Sequence, residues 1–394
     1  MKGLLKYMSP FAPDQSGAAS VLYDMGGLTV ICDAGGCTGN ICGFDEPRWF
    51  GKKSALMSAG LRDMDAILGR DDAMVAKIRS AADHMDAAFV SLIGTPVPAV
   101  IATDFKALAR MTEKRTGLPA IAVECTGTRL YDEGESDTWL ALFKKFAVEP
   151  QTQERILGVI GLTPLSVSRC EVREALEAYA HEAGYEDVVC YGMGDGLEAV
   201  KKAASVSYNL VVSPAGLKAA RYLEEKFEIP YGFGFPLMAP ALMFQLFNVN
   251  ARRILIVHQQ VAANDIRSFL TMFGHGDVTV AGFFMMTDDL RQPQDVQLTS
   301  EQDWQQLVRE GGFDLIIADQ ALRRAVPDYQ GQWLHVPHFA VSGELENENT
   351  YAMPEPPAEE EEPSYADETA YDGVFSWAPA DETDEDSEET GEDA

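Results

Sequence analysis

No lysine or arginine occurs between residues 344 and 394, where 20 of the chain's 62 acidic residues lie. The remainder carries 42 acids against 31 bases, so the body is mildly acidic and the tail strongly so. Clustered basic side chains, which phosphate contacts require, are missing, and this excludes nucleic acid as the expected partner. Nor is there a membrane-spanning run, which needs roughly 20 apolar residues. The longest apolar stretch, residues 87–102, is broken by Ser91, Thr95 and two prolines, and reads as a buried strand followed by a loop. Residues 1–17 hold prolines and an aspartate where a signal peptide would be apolar. The expectation is a cytoplasmic protein with no membrane partner. A phosphate-cradling G-x-x-x-x-G-K-[ST] loop is also lacking. Cysteines number only six (Cys32, Cys37, Cys42, Cys125, Cys170 and Cys190), and without a secretion signal they read as thiols for metal or redox work.

What is present is a long alternation of apolar runs and amphipathic segments. Residues 28–32, 88–93, 120–124, 156–160, 209–212, 254–258, 278–283 and 315–318 have the continuous apolar character of parallel strands buried on both faces. Helical periodicity lies between them, over residues 171–183, 215–226, 236–250 and 265–273. Repeated strand–helix–strand units predict an α/β fold with parallel sheets and right-handed crossovers. At 394 residues the chain exceeds the ~250–300 that one core sustains. Composition suggests breaks at a polar link, residues 149–154, and at the Gly/Pro/aromatic segment 230–236. The expected domains are 1–150, 151–236 and 237–345, with 346–394 an acidic tail too poor in apolar residues to order itself. Val374-Phe-Ser-Trp377 is a short apolar island within that tail.

One segment carries chemistry: Cys32-Asp-Ala-Gly-Gly-Cys37-Thr-Gly-Asn-Ile-Cys42-Gly-Phe-Asp-Glu-Pro-Arg-Trp49. Three thiols fall within eleven residues, directly after the first predicted strand. Ligands of open α/β sheets sit outside the carboxyl ends of strands, and Gly35 and Gly36 permit a tight turn there. A helix opening after them would turn its N-terminal amides toward negative charge. Thiolates at such a place can hold iron. The spacing matches neither a ferredoxin nor a zinc pattern, so small residues packed into a strand–helix turn remain the other reading.

A resemblance narrows the choice. Ser9-Pro-Phe-Ala-Pro-Asp14-Gln-Ser-Gly-Ala-Ala19 followed by Asp33-Ala-Gly-Gly-Cys37 resembles the start of nitrogenase component 1 subunits and their relatives, among them protochlorophyllide reductases and cofactor-assembly scaffolds. Gly94-Thr-Pro-Val-Pro-Ala-Val-Ile-Ala-Thr-Asp104, Val123-Glu-Cys-Thr-Gly127 and the segment 209–231 continue the likeness in order, so that it covers about residues 5–345. It implies three Rossmann-like parallel-sheet domains and a homodimer or heterodimer. It also implies an iron–sulfur cluster near the dimer interface, fed with low-potential electrons by a separate ATP-hydrolysing iron protein. The missing nucleotide loop agrees, since ATP belongs to that partner. Of the family's three cysteine positions per subunit, Cys37 matches the middle one, Asp14 stands at the first, and Thr95 or Pro96 at the third. Proline cannot ligate iron, which disfavours an eight-iron cluster and points to a four-iron one, 4Fe-4S. Its candidate ligands are Cys37, Cys32, Cys42, Cys125 and Asp14. The implied function is a nitrogenase-like oxidoreductase component with an unidentified substrate; the alternatives are a non-catalytic scaffold for metal-cofactor assembly and a metal-free interaction protein.

Other features read more plainly. Gly192-Met-Gly-Asp-Gly196 lacks the third glycine of a dinucleotide loop and is expected to be a strand-to-helix turn. Cys170, expected on a helix, and Cys190, on a strand, are core candidates. His258, His335 and His338 either line a pocket as proton donors or are buried for structure. Asp45-Glu46-Pro47-Arg48-Trp49 is either a docking rim for a partner or a helix end held by a salt bridge.

Overall fold

A computed structural model describes residues 5–149, 154–347 and 349–351, which belong to one compact unit. The start of the predicted acidic tail is ordered, contrary to expectation: Glu346 pairs with Arg169, and Tyr351 is buried in the core of the third sheet. The rest of the tail, including Val374–Trp377, lies outside the described residues. Three sheets organise the chain. The first contains β1 (Leu28–Ile31), β2 (Leu56–Ser58), β3 (Val90–Ile93) and β4 (Ala120–Val123), in the order β2-β1-β3-β4. The second contains β5 (Glu154–Ile160), β6 (Asp187–Cys190), β7 (Val206–Val211) and β8 (Tyr231–Phe233), in the order β6-β5-β7-β8. The third contains β9 (Arg253–Val257), β10 (Asp277–Gly282), β11 (Val296–Gln297), β12 (Leu315–Ala318) and β13 (Gln332–His335), in the order β11-β10-β9-β12-β13. Every strand pair is parallel. The strand order reverses between β1 and β3, between β5 and β7, and between β9 and β12, so each sheet has a switch-point crevice at its carboxyl edge. This is the α/β, parallel-sheet architecture that the apolar runs predicted, with the Rossmann-like character that the resemblance implied.

Side-chain alternation divides the first sheet cleanly. Leu28, Val30 and Cys32 face one core with Val90, Leu92, Phe105 and Leu108. Ile31, Ile93, Val123 and Cys125 face another, which they share with Ile160, Val211 and Leu223 of the second sheet. Between the two sheets lie the helices Asp14–Leu22 and Tyr131–Phe146. All nine residues of the first helix are buried, its polar ones included. These helices touch through glycines. A β-carbon on Gly17 would stand 1.9 Å from the Tyr131 carbonyl oxygen, and one on Gly134 would stand 1.9 Å from that of Asp14. No other residue fits at either position.

The apolar stretch 87–102 is a strand as far as Ile93, but a short helix, Pro96–Val100, follows where a loop was expected. Pro96 supplies the preset backbone angle and needs no amide bond at a helix start. The helix predicted over 236–250 is confined to Pro240–Phe247. Among the described residues no helix is long and apolar enough to cross a membrane.

Candidate functional site

The three crevices differ in access. In the second, Leu162, Thr163, Val212 and Ser213 are sealed. In the third, His258, Gln259 and Asp319 are buried, and the Gln259 side chain donates to the Val212 carbonyl at 2.9 Å. The first opens to the surface, with Ala34 and Gly36 exposed, Cys37 half-buried, and Pro96 and Val97 exposed on the other lip; the third reaches the surface at Gln320. The turn is held by Asp33, whose buried carboxylate accepts from the Thr38 amide at 2.8 Å, the Thr38 hydroxyl at 3.0 Å and the Ser58 hydroxyl at 2.6 Å. Gly35 sits at φ 122°, a conformation only glycine adopts freely. The helix expected after the glycines runs for one short stretch, Gly36–Asn40, and passes into a π-helical turn, Ile41–Asp45. The Thr38 amide of that helix is already taken by Asp33, so the protein itself supplies the anion there. Turns of π type interrupt helices often at functional places.

The candidate ligands fall into distinct positions. Cys37 packs against the core that contains Cys125, so these two thiols lie on the same side of the first sheet. Cys32, one residue past β1, lies in the opposite core by strand alternation, and the structure does not bring it to Cys37. Cys42 sits half-buried in the π-helical turn. Asp14 is fully buried at the head of its helix, and its carboxylate is heavily engaged. It accepts from the amides of Gln15 (3.0 Å), Thr126 (2.8 Å) and Gly127 (2.8 Å) and from Arg129 Nε (3.1 Å). Asp14 therefore pins the loop after β4, which carries Cys125, to the central helix. Among the described residues no three His, Cys, Asp or Glu side chains stand together as a ready-made metal site.

The electrostatics favour protonated thiols when no metal is bound. Burial raises the Cys37 pKa, the Asp33 charge adds to this, and the Thr95 hydroxyl partly offsets both. Burial pushes Cys32 up to about 12 and Cys125 well above its usual value. Burial and Glu46 raise Cys42. Lys53 beside Cys42 and Arg129 beside Cys125 oppose these rises without overcoming them, so a metal would have to displace the proton. Two observations favour a bound group at this crevice. Nothing lies within 4 Å of the β-carbon positions of Gly36 and Gly39, which leaves the approach to Cys37 open. Gln15, buried beside Gly127 and Pro96, has a side-chain oxygen without a partner.

Arg48 makes the salt bridge that one reading of its segment expected. The buried guanidinium forks onto Glu46 at 2.7 and 2.8 Å, reaches Asp24 at 3.2 Å, and donates to the carbonyls of Ser20 and Gly192 at 2.7 Å each. It ties the central helix to the turn after β6, and Gly192–Gly196 is indeed a turn between β6 and the helix Leu197–Lys201. Cys190 is buried at the end of β6 as expected, whereas Cys170 lies on a bend rather than a helix, half-buried near Arg48. His335 hydrogen-bonds Glu344 at 3.1 Å near the surface. His258 and His338 are buried and stacked on each other, with centroids 4.4 Å apart. Sequence reasoning missed the polar groups around this pair, above all Tyr131, Glu135 and Ser166. They carry no motif, and only their buried positions single them out.

Three parallel sheets with switch-point crevices at their carboxyl edges define a Rossmann-like α/β protein. Residues 15–239, more than half of the chain, match the family described as nitrogenase component 1 type oxidoreductase. The chain belongs to that family. Its fold is similar to two solved structures. Nitrogenase Cp1 at pH 6.5 aligns with TM-score 0.65 and 10% identity, over 85% of this chain and 87% of that one. Nitrogenase Cp1 at pH 5 aligns with TM-score 0.61 and 12% identity, over 87% and 86%. No curated protein matches the sequence.

Proposed function

We propose that this chain is the electron-accepting subunit of a nitrogenase-like reductase. In this reading Cys37 and Cys125 contribute thiolates to a 4Fe-4S cluster at the open crevice, and Asp14 holds the Cys125 loop in place. A bound cluster would supply one-electron chemistry at low potential. The chain's own part is to shield the site with the core around Cys125, to present Cys37 half-exposed, and to orient it through Thr95 and Asp33. The observation that carries the proposal is that the open first crevice presents Cys37 half-buried at its mouth, on the same side of the sheet as Cys125.

Two thiols are too few for four irons, so the remaining ligands come from a second chain of the same type, a copy or a relative. The surroundings support this. Val97, Val100 and Ile101 on one lip, Ile67 and Leu68 after β2, and Phe44 and Phe50 beyond Cys42 are large apolar side chains left exposed. Exposed apolar patches of this kind mark contact faces. Electrons would come from an ATP-hydrolysing iron protein, consistent with the absence of a nucleotide loop here.

The test is anaerobic expression and cluster reconstitution, followed by iron and sulfide analysis and EPR of the reduced protein. The wild type should bind iron and sulfide in an associated form, Cys37→Ser should lose most of both, and Cys32→Ser should keep them. An iron content unchanged by Cys37→Ser would sink the proposal, as would a wild type that takes up no iron. Iron uptake without turnover by an ATP-driven iron protein, but with release of a metal cofactor to another protein, would assign the chain as a scaffold.

A further inference from the structure

The helix Tyr131–Phe146 turns a series of polar groups inward, at a place remote from the surface and without an ion pair to explain them. Glu135 is fully buried. One of its carboxyl oxygens meets the Thr163 hydroxyl, and the other lies 3.0 Å from the Ser166 hydroxyl. Ser166 Oγ lies 3.5 Å from the Tyr131 hydroxyl, which lies 2.9 Å from His338 Nε2. The His338 ring stacks on His258, whose Nε2 faces the Pro337 carbonyl at 3.0 Å and whose Nδ1 has no partner. Tyr131 and Glu135 follow β4, Thr163 and Ser166 follow β5, and the histidines follow β9 and β13. The chain of hydroxyls thus crosses from the first sheet to the third through the second.

We propose that Glu135, Ser166, Tyr131 and His338 form a buried proton path, which carries one proton from the Glu135 carboxyl to the histidine pair at the third sheet's crevice. In the transfer the Glu135 O–H bond breaks, and Ser166 accepts that proton and releases its own to the Tyr131 oxygen. Tyr131 in turn passes its hydroxyl proton to His338 Nε2. Glu135 is left as a carboxylate and His338 as an imidazolium, so the net charge is unchanged. The 3.5 Å link between Ser166 and Tyr131 is the longest and must shorten for transfer, which makes it the slow step.

The resting state is loaded at the correct end. Burial pushes the Glu135 pKa up to about 8, with Asp132 adding to the rise and the Thr163 and Ser166 hydroxyls and Arg48 opposing it. The carboxyl is therefore protonated at neutral pH. Burial, with His258 beside it, holds His338 well below its usual pKa, so the ring begins neutral. Asp319 faces the ring pair: it accepts the His338 amide at 2.9 Å and its charge raises the His258 pKa, so it would steady an imidazolium there. A negative charge arriving near the rings would draw the proton across. The purpose of the path rests on the reductase reading, because reducing an unsaturated bond takes up protons as well as electrons. Its existence does not.

Infrared spectroscopy of the full-length chain, iron-free and reconstituted, tests the path. The wild type at pH 7 should show a protonated-carboxyl band that Glu135→Gln abolishes. On transfer to D2O that band should shift promptly in the wild type, and at least about tenfold more slowly in Tyr131→Phe, which lacks one hydrogen-bonded carrier. Ser166→Ala, which removes a single hydroxyl, should slow the shift likewise and decides the matter if Tyr131→Phe fails to fold. A band that survives Glu135→Gln, or exchange equally fast in the hydroxyl variants, would overturn the path. A chain that binds no iron but shows the slowed exchange would retain the path and lose only the reductase reading.

Discussion

At the scale of single residues, the buried carboxyl of Glu135 has a thermodynamic signature apart from any role in transfer. Its folded pKa is raised from the ordinary 4.5 to about 8, so between those values the folded state holds a proton that the unfolded state has released. Stability from this group is complete below pH 4.5 and is lost as the pH climbs through about 8. The wild type should therefore lose stability relative to Glu135→Gln across that window, by an amount on the order of a few kcal/mol. Urea unfolding of both proteins at pH 5 and pH 9 checks this, and parallel pH dependences would refute it. Residue identity alone does not reveal such a group. A glutamate in a sequence looks solvated until its surroundings are known, whereas Cys37 could be singled out because thiols near a strand end and two glycines are rare enough to notice. The same limit explains Cys32: spacing places it five residues from Cys37, but strand alternation sends it to the other face.

At the scale of elements, the strands with a continuous apolar run were legible wherever they lie in the sheet. β1, β3, β4, β5, β7, β9, β10 and β12 carry such runs and announce themselves, β4 from an edge. β2, β8, β11 and β13 are short edge strands with mixed exposure, and their sequences carry no comparable run. The central helices were hidden for a different reason. Asp14–Leu22 is buried all round, and Tyr131–Phe146 buries Asp132, Glu135, Ser136 and Thr138 among its apolar residues, so neither shows a single apolar stripe. Their contact makes a strong prediction. A methyl group at position 134 has no space beside the Asp14 carbonyl, and the helices must part to admit it. Gly134→Ala should cost roughly 1–3 kcal/mol or more, as overpacking does, although alanine favours helices. Thermal unfolding measures the loss, and a variant as stable as the wild type would mean that the helices are not in this contact.

At the scale of the whole molecule, one group of exposed apolar side chains, Val97, Val100, Ile101, Ile67 and Leu68, borders the thiol-bearing crevice, which is why association and metal binding are expected to go together. Val100 is 85% exposed, so an aspartate there should leave the folded monomer intact. In the proposed assembly it would sit in a buried contact, where a lone charge is costly. Val100→Asp should keep the wild-type melting temperature and yet shift the protein to monomers in sedimentation, with iron lost in proportion. Association unaffected by Val100→Asp would place the contact elsewhere. The resemblance implied a dimer with a cluster near its interface, but the contact face was not legible in the sequence, because which apolar residues stay uncovered depends on how helices settle around the sheets. The reciprocal glycine contact has a further effect. With bare backbone meeting bare backbone, no compliant side chain lies between Asp14 and the residue preceding Glu135. A shift of Asp14, as when the Cys125 loop moves, therefore bears directly on the backbone next to Glu135, with no side chain between them to take up the change.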